Sequence, residues 1–157
     1  MERRGPQVAE PQIAAFEAKL GAALPEDYRA FLLEVNGGRT LSSHVVFDIR
    51  NDQTILNTLH SLGDPDEQRD LETRWRNSRQ RLPTNVLRVG ADDGGGTLVV
   101  VISGPRRGQV WFLDGVDPQP DDDSPPVDWF DRRDVSKVAA SFSKFIGSLK
   151  PLPSSET

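Results

Sequence analysis

Residues 13–38 read IAAFEAKLGAALPEDYRAFLLEVNGG, and the rest of the chain is best understood outward from them. Ile13, Phe16 and Leu20 recur at i, i+3 and i+7, which puts three large apolar side chains on one helical face that ends at Gly21. Pro25 then stands at a first-turn position, with Glu26 and Asp27 beside the positive end of the helix dipole. Tyr28, Phe31, Leu32 and Val35 follow at i, i+3, i+4 and i+7. Asn36-Gly37-Gly38 stops this second helix, because glycine readily takes the left-handed conformation past a helix end. Two short amphipathic helices result, and their apolar stripes must share a core.

Downstream the period changes. Val45, Phe47 and Ile49 alternate with Val46, Asp48 and Arg50, which predicts a strand, whereas Asp52 to Leu62 fits no single period. Asp64-Pro65-Asp66-Glu67 reads as an N-cap, an N1 proline and an acidic first turn. It predicts an Arg-rich helix over 65–82, with Leu71 and Trp75 four apart and Pro83 as its end. Val86 to Val89, Thr97 to Ser103 and Gln109 to Leu113 predict three strands, the second aliphatic on both faces and therefore central. Asp92 to Gly96 and Gly104 to Gly108 are the turns between them. Asp114 to Pro126 is rich in Pro and Asp and predicts an exposed acidic loop. An extended piece through Trp129 and Phe130 then leads to a last helix carrying Val138, Phe142, Phe145, Ile146 and Leu149 on one stripe.

The 157 residues suit one domain over 1–157, with a core of about 13–149 and tails at 1–10 and 153–157. No cysteine is present, which removes disulfide frameworks, thiolate zinc sites and cysteine nucleophiles. The longest uninterrupted aliphatic run is Leu98 to Ile102, so no signal peptide or membrane span is expected and the cytoplasm is the default compartment. The formal charge is −5, and 15 of the 19 basic residues are Arg, a bias that hints at a bacterial, GC-rich coding sequence.

Motifs for catalysis are sparse. His44 and His60 lie 16 residues apart without a metal-ligand spacing, and both are expected to be structural. The run Asp92-Asp93-Gly94-Gly95-Gly96 lacks the GK[ST] of a phosphate loop and carries two carboxylates that would repel phosphate, so it reads as a turn. An acid/base pair of Asp92 and Asp93 is disfavoured, because adjacent residues on an extended chain point to opposite sides. Between Arg69 and Arg88 the local charge is +4, and between Asp114 and Asp134 it is −6. Trp75 shares a stripe with Leu71 and reads as core, which leaves the arginines as a solvated face rather than a nucleic-acid surface. Asp121-Asp122-Asp123 lacks the alternating spacing of a calcium loop. Docking a basic partner is the functional use such a segment offers, since a negative surface steers encounter.

The ordered set Ile13-x-x-Phe16-Glu17-x-x-Leu20-Gly21, Leu24-Pro25-x-Asp27-Tyr28-x-x-Phe31-Leu32 and Asn36-Gly37-Gly38 resembles the SUKH superfamily in its Smi/Knr-type branch. Arg88-Val89-Gly90, Gly108-Gln109-Val110-Trp111-Phe112 with Asp114, and Ser141-Phe142-x-x-Phe145-Ile146 continue the match in order, over about Ile13 to Leu149. The resemblance implies a single α+β domain whose largely antiparallel sheet packs against the N-terminal helix pair and a C-terminal helix. It implies no enzyme: many bacterial members look like immunity proteins that bind and block a cognate toxin domain, often a nuclease or deaminase. Fungal relatives are non-enzymatic regulators of cell-wall synthesis, so a housekeeping scaffold is the alternative, and an Asp-dependent hydrolase a distant third. No catalytic, cofactor or metal residue is implied. The expected partner is a basic toxin domain, with no direct nucleic acid or membrane contact, and the chain itself is expected to be a monomer or weak homodimer. Candidate partner-binding residues are Asp92, Asp93, Asp121, Asp122, Asp123 and Asp128.

Overall fold

The computed structural model describes residues 3–39, 45–49, 52–114, 128–132 and 134–151. The two N-terminal helices form as their spacing predicts. Helix α1 spans Glu10–Leu20 and α2 spans Glu26–Glu34, with Ile13, Phe16, Tyr28 and Leu32 buried. Pro11 sits in the first turn of α1, where the missing N–H has no helical partner to lose.

Among the described residues nine strands form one sheet: β1 Arg3–Arg4, β2 Gly38–Arg39, β3 Val45–Ile49, β4 Asp52–Leu59, β5 Val86–Asp92, β6 Thr97–Val101, β7 Val110–Leu113, β8 Val135–Ala139 and β9 Lys150–Pro151. Every pairing between these strands is antiparallel, in the order β1-β2-β4-β5-β6-β7-β8, with β3 also on β4 and β9 on β3. The sheet curls, bringing β3 close to β8. Phe47 of β3 thereby meets Phe112 of β7 at 5.6 Å between ring centroids. Strand β6 is buried at every position, as its two-faced aliphatic sequence predicts.

Helix α3 spans Leu71–Ser78 and α4 spans Phe142–Ser148. One sheet face carries Phe47, Leu56, Leu87, Leu98, Val100 and Phe112 against α1, α2 and α4. Between α2 and α4, Phe142 meets Tyr28 at 4.8 Å and Phe31 at 4.9 Å. Asp27 also accepts the Ser143 N–H at 2.8 Å, tying the start of α2 to the start of α4. The opposite face carries a smaller cluster of Val86, Val99, Val101, Leu113 and Val135 beneath Trp129. This is one α+β domain with an antiparallel sheet.

Several expected elements are redrawn. Asp52 to Leu62, without a clear period, contains β4: it pairs with β5 along one edge and with β2 and β3 in line along the other. The Arg-rich helix starts at Leu71 rather than 65, because Asp70, not Asp64, caps it by accepting from the Thr73 N–H and hydroxyl. Asp64 and Asp66 instead accept from the N–H two residues on, each closing a local turn. The last helix starts at Phe142, since Ser141 accepts the Lys144 N–H. Val138, expected on that helix, belongs to β8, where it falls at the register shift between the Trp111–Lys137 and Val110–Ala139 pairs. Trp129–Asp131 is a 3₁₀ turn rather than an extended piece, capped by Asp128.

The expected N-terminal tail is also corrected. Arg3 and Arg4 pair with Arg39 and Gly38, Val8 is buried, and the Pro6 carbonyl accepts from Asn36. The expected loop over 114–126 keeps only Asp114 among the described residues, and the expected tail at 153–157 lies outside them, as does His44.

Candidate functional site

Strand direction alone gathers the acidic residues. In this antiparallel order β3, β5 and β7 finish, and β4, β6 and β8 begin, at one end of the sheet. Asp48 and Asp52 flank the β3–β4 connection, Asp92 and Asp93 close β5, Asp114 follows β7, and Asp134 precedes β8. The Asp114 N–H donates to the Asp134 carbonyl at 2.7 Å, so the last two strands are clasped where the acidic segment departs. Asp48, Asp52, Asp93 and Asp114 are exposed, whereas Asp134 is held by two hydrogen bonds from Arg132, at 3.0 and 2.7 Å.

The candidate pair Asp92 and Asp93 divides between two tasks. Asp92 is buried; one carboxylate oxygen accepts the Gly96 N–H at 2.6 Å and the other accepts from the Thr54 hydroxyl. It is a turn-forming residue that offers no surface to a partner. Gly96 is required beside it, because a Cβ there would stand 2.3 Å from Cζ of Phe112. Asp93 is exposed and accepts from the Asn57 side chain at 2.8 Å. The two carboxylates thus take different partners and do not converge as an acid/base pair.

Asp128 is exposed, its carboxylate accepting the Phe130 N–H at 3.0 Å at the head of the 3₁₀ turn. Asp121, Asp122 and Asp123 lie outside the described residues. Asp48, Asp52 and Asp114 escaped the sequence reading, because only strand order, not chain proximity, brings them to the same end of the sheet as Asp93. The alternation around Phe47 and the strand ends did carry part of that signal.

A second concavity, a groove of about 460 Å³, lies beside α3. Leu20, Trp75, Leu82 and Val86 contribute apolar walls, and Lys19, Arg76 and Arg79 contribute cations. Those cations are engaged: Lys19 and Arg76 pair with Glu72 at 2.9 and 3.1 Å, and Arg79 lies 4.8 Å from the Trp75 ring centroid. Trp75 packs edge-on against Phe16 at 5.8 Å, as a core residue rather than a free stacking platform. Among the described residues no three His, Asp or Glu side chains gather in a way that could hold a metal ion, and no helix is long and apolar enough to cross a membrane.

A curled antiparallel sheet, with helices packed on one face and exposed carboxylates at one end, defines a small α+β domain. Residues 7–148 match the SMI1 / KNR4 family (SUKH-1), and the chain belongs to that family. No curated protein matches the chain.

Proposed function

We propose that this chain is a non-enzymatic protein-binding module of the cytoplasm that binds and neutralises a cognate toxin domain. Family membership supports a binding role, and the observation that carries the reading is the gathering of exposed Asp48, Asp52, Asp93 and Asp114 at one end of the sheet. A basic partner, such as a toxin domain with a cleft for nucleic acid, meets complementary charge there. In sequence, Asp114 is followed by four further aspartates, Asp117, Asp121, Asp122 and Asp123, which add to the negative charge of this segment.

The test is co-expression in a heterologous bacterial host with the C-terminal domain encoded by the gene immediately upstream. Restored growth and co-purification at a 1:1 ratio are expected. A toxic domain that is neither rescued nor bound would shift the assignment to a housekeeping scaffold of the same fold.

A further inference from the structure

The basic half of the molecule contains a cluster that the partner reading does not use. Most described arginines have an evident counterpart: Arg29 pairs with Glu10 and Glu17, Arg69 with Asp66, Arg76 with Glu72, and Arg132 with Asp134. Arg79 and Arg106 lie over aromatic rings, and Arg107 donates to the carbonyls of Ala23 and Leu24. Arg74, Arg81 and Arg88 differ, since no described carboxylate forms an ion pair with any of them. Asp70, one turn before Arg74, is committed to the Gly63 N–H and to Thr73.

Arg88 touches a buried imidazole, the charge of Arg74 acts on the same ring, and Arg81 acts on Arg88. Nε of Arg88 donates to Nε2 of His60 at 3.2 Å, and His60 is only 1% exposed. Because Nε2 accepts, the imidazole proton sits on Nδ1, and that buried atom has no partner; nor does buried Nε of Arg74, whose terminal nitrogen reaches Gln68 at 3.2 Å. Burial, then the charges of Arg88 and Arg74, hold the His60 pKa down at about 3. Burial, then Arg74 and Arg81, lower that of Arg88 to about 10. The cluster is therefore a set of cations close enough to repel, with orphaned donors and no counter-ion among the described residues. Arg81 is exposed, while Arg74 and Arg88 are half-buried.

We propose that Arg74, Arg81 and Arg88 form, around His60, a binding site for a phosphate-class oxyanion. The guanidinium fork presents paired N–H donors that match phosphate oxygens. A phosphate monoester carries about −1.5 to −2 charges, closer to balancing three cations than the single charge of a carboxylate. Arg74 stands on α3, Arg81 on the link after it, Arg88 on β5 and His60 just past β4, and the site is independent of partner docking at the acidic end.

The experiment is an NMR titration of the full chain at constant ionic strength, following the His60 ring and the Arg Nε–H signals. Inorganic phosphate is expected to shift them saturably. Arg81→Gln, an exposed change that leaves the core untouched, and Arg88→Gln should each weaken binding tenfold or more, with Lys144→Gln on α4 unchanged. Phosphoserine as a second probe identifies the source: tighter binding than inorganic phosphate points to a phosphorylated side chain, and equal binding to the free anion. Absence of a saturable shift at tens of millimolar phosphate, an unaltered affinity in Arg81→Gln, or equal binding of acetate would each overturn the proposal.

Discussion

At the scale of single residues, two buried polar groups decide more than their sequence context suggests. Asp92 carries the β5–β6 turn through Gly96 and Thr54, so Asp92→Ala leaves a buried N–H and a hydroxyl without their acceptor. A loss of about 2–3 kcal/mol in urea unfolding is expected. A cost within a few tenths of a kcal/mol of wild type would show that the turn stands without the carboxylate. His60 makes a prediction about pH. Its folded pKa of about 3 lies below the unfolded value near 6.5, so the unfolded chain takes up a proton that the folded chain refuses. The associated stability is fully present above about pH 6.5 and is lost as pH falls toward 3. From pH 6.5 to 5 the wild type should lose about 2 kcal/mol more than His60→Gln, read from urea midpoints at the two pH values. Parallel losses in the two proteins would count against a buried neutral imidazole.

At the scale of elements, Asn36 is the clearest example of a position half legible in the sequence. Asn-Gly-Gly reads correctly as a helix stop, and Asn36 does adopt a positive φ of 54°. Its side chain does more than stop a helix. Oδ1 accepts the Leu62 N–H at 2.8 Å, while Nδ2 donates to the Leu62 carbonyl at 2.8 Å and the Pro6 carbonyl at 2.6 Å. The amide thus acts as an extra strand residue, joining the end of α2, the N-terminal segment and the chain leaving β4. Gly37 beside it allows that approach, since a Cβ there would lie 2.5 Å from the His60 carbonyl oxygen. Asn36→Ala should cost about 2–4 kcal/mol and raise amide exchange across residues 3–8 before the rest of the fold; uniform exchange would separate the N-terminal segment from this clamp. Periodicity finds α1, α2, β6 and β7 because each satisfies its pattern locally. It misses β4 because its buried residues, Leu56 and Leu59, stand three apart across a register shift, which breaks the period of two. It misplaces the start of α3 because Asp64-Pro65 and Asp70 both look like caps, and only tertiary packing of Leu71 chooses between them. The acidic site was partly visible: Asp93 and Asp128 are exposed as a surface role requires, whereas Asp92 looked equivalent to its neighbour until the strand paired.

At the scale of the whole molecule, the described aspartates at the strand ends and the arginines of α3 and β5 form separate charged regions. Strand β5 enters from the side of Arg81 and leaves at Asp92, and its seven residues span roughly 20 Å. That exceeds the roughly 8 Å over which exposed charges sense one another at physiological salt, so the two regions act independently on an approaching partner. On the proposed function, a basic partner would be steered by the acidic end alone. Neutralising Asp93 and Asp114 together, as Asn, should therefore slow association with a cognate partner about 3–10-fold at low ionic strength, with the difference fading at high salt. Arg81→Gln in the same stopped-flow experiment should leave the association rate within twofold. If the arginine change instead alters the rate as much as the two aspartates do, the partner approaches across the α3 side, and the acidic end is a solvated rim rather than the docking surface.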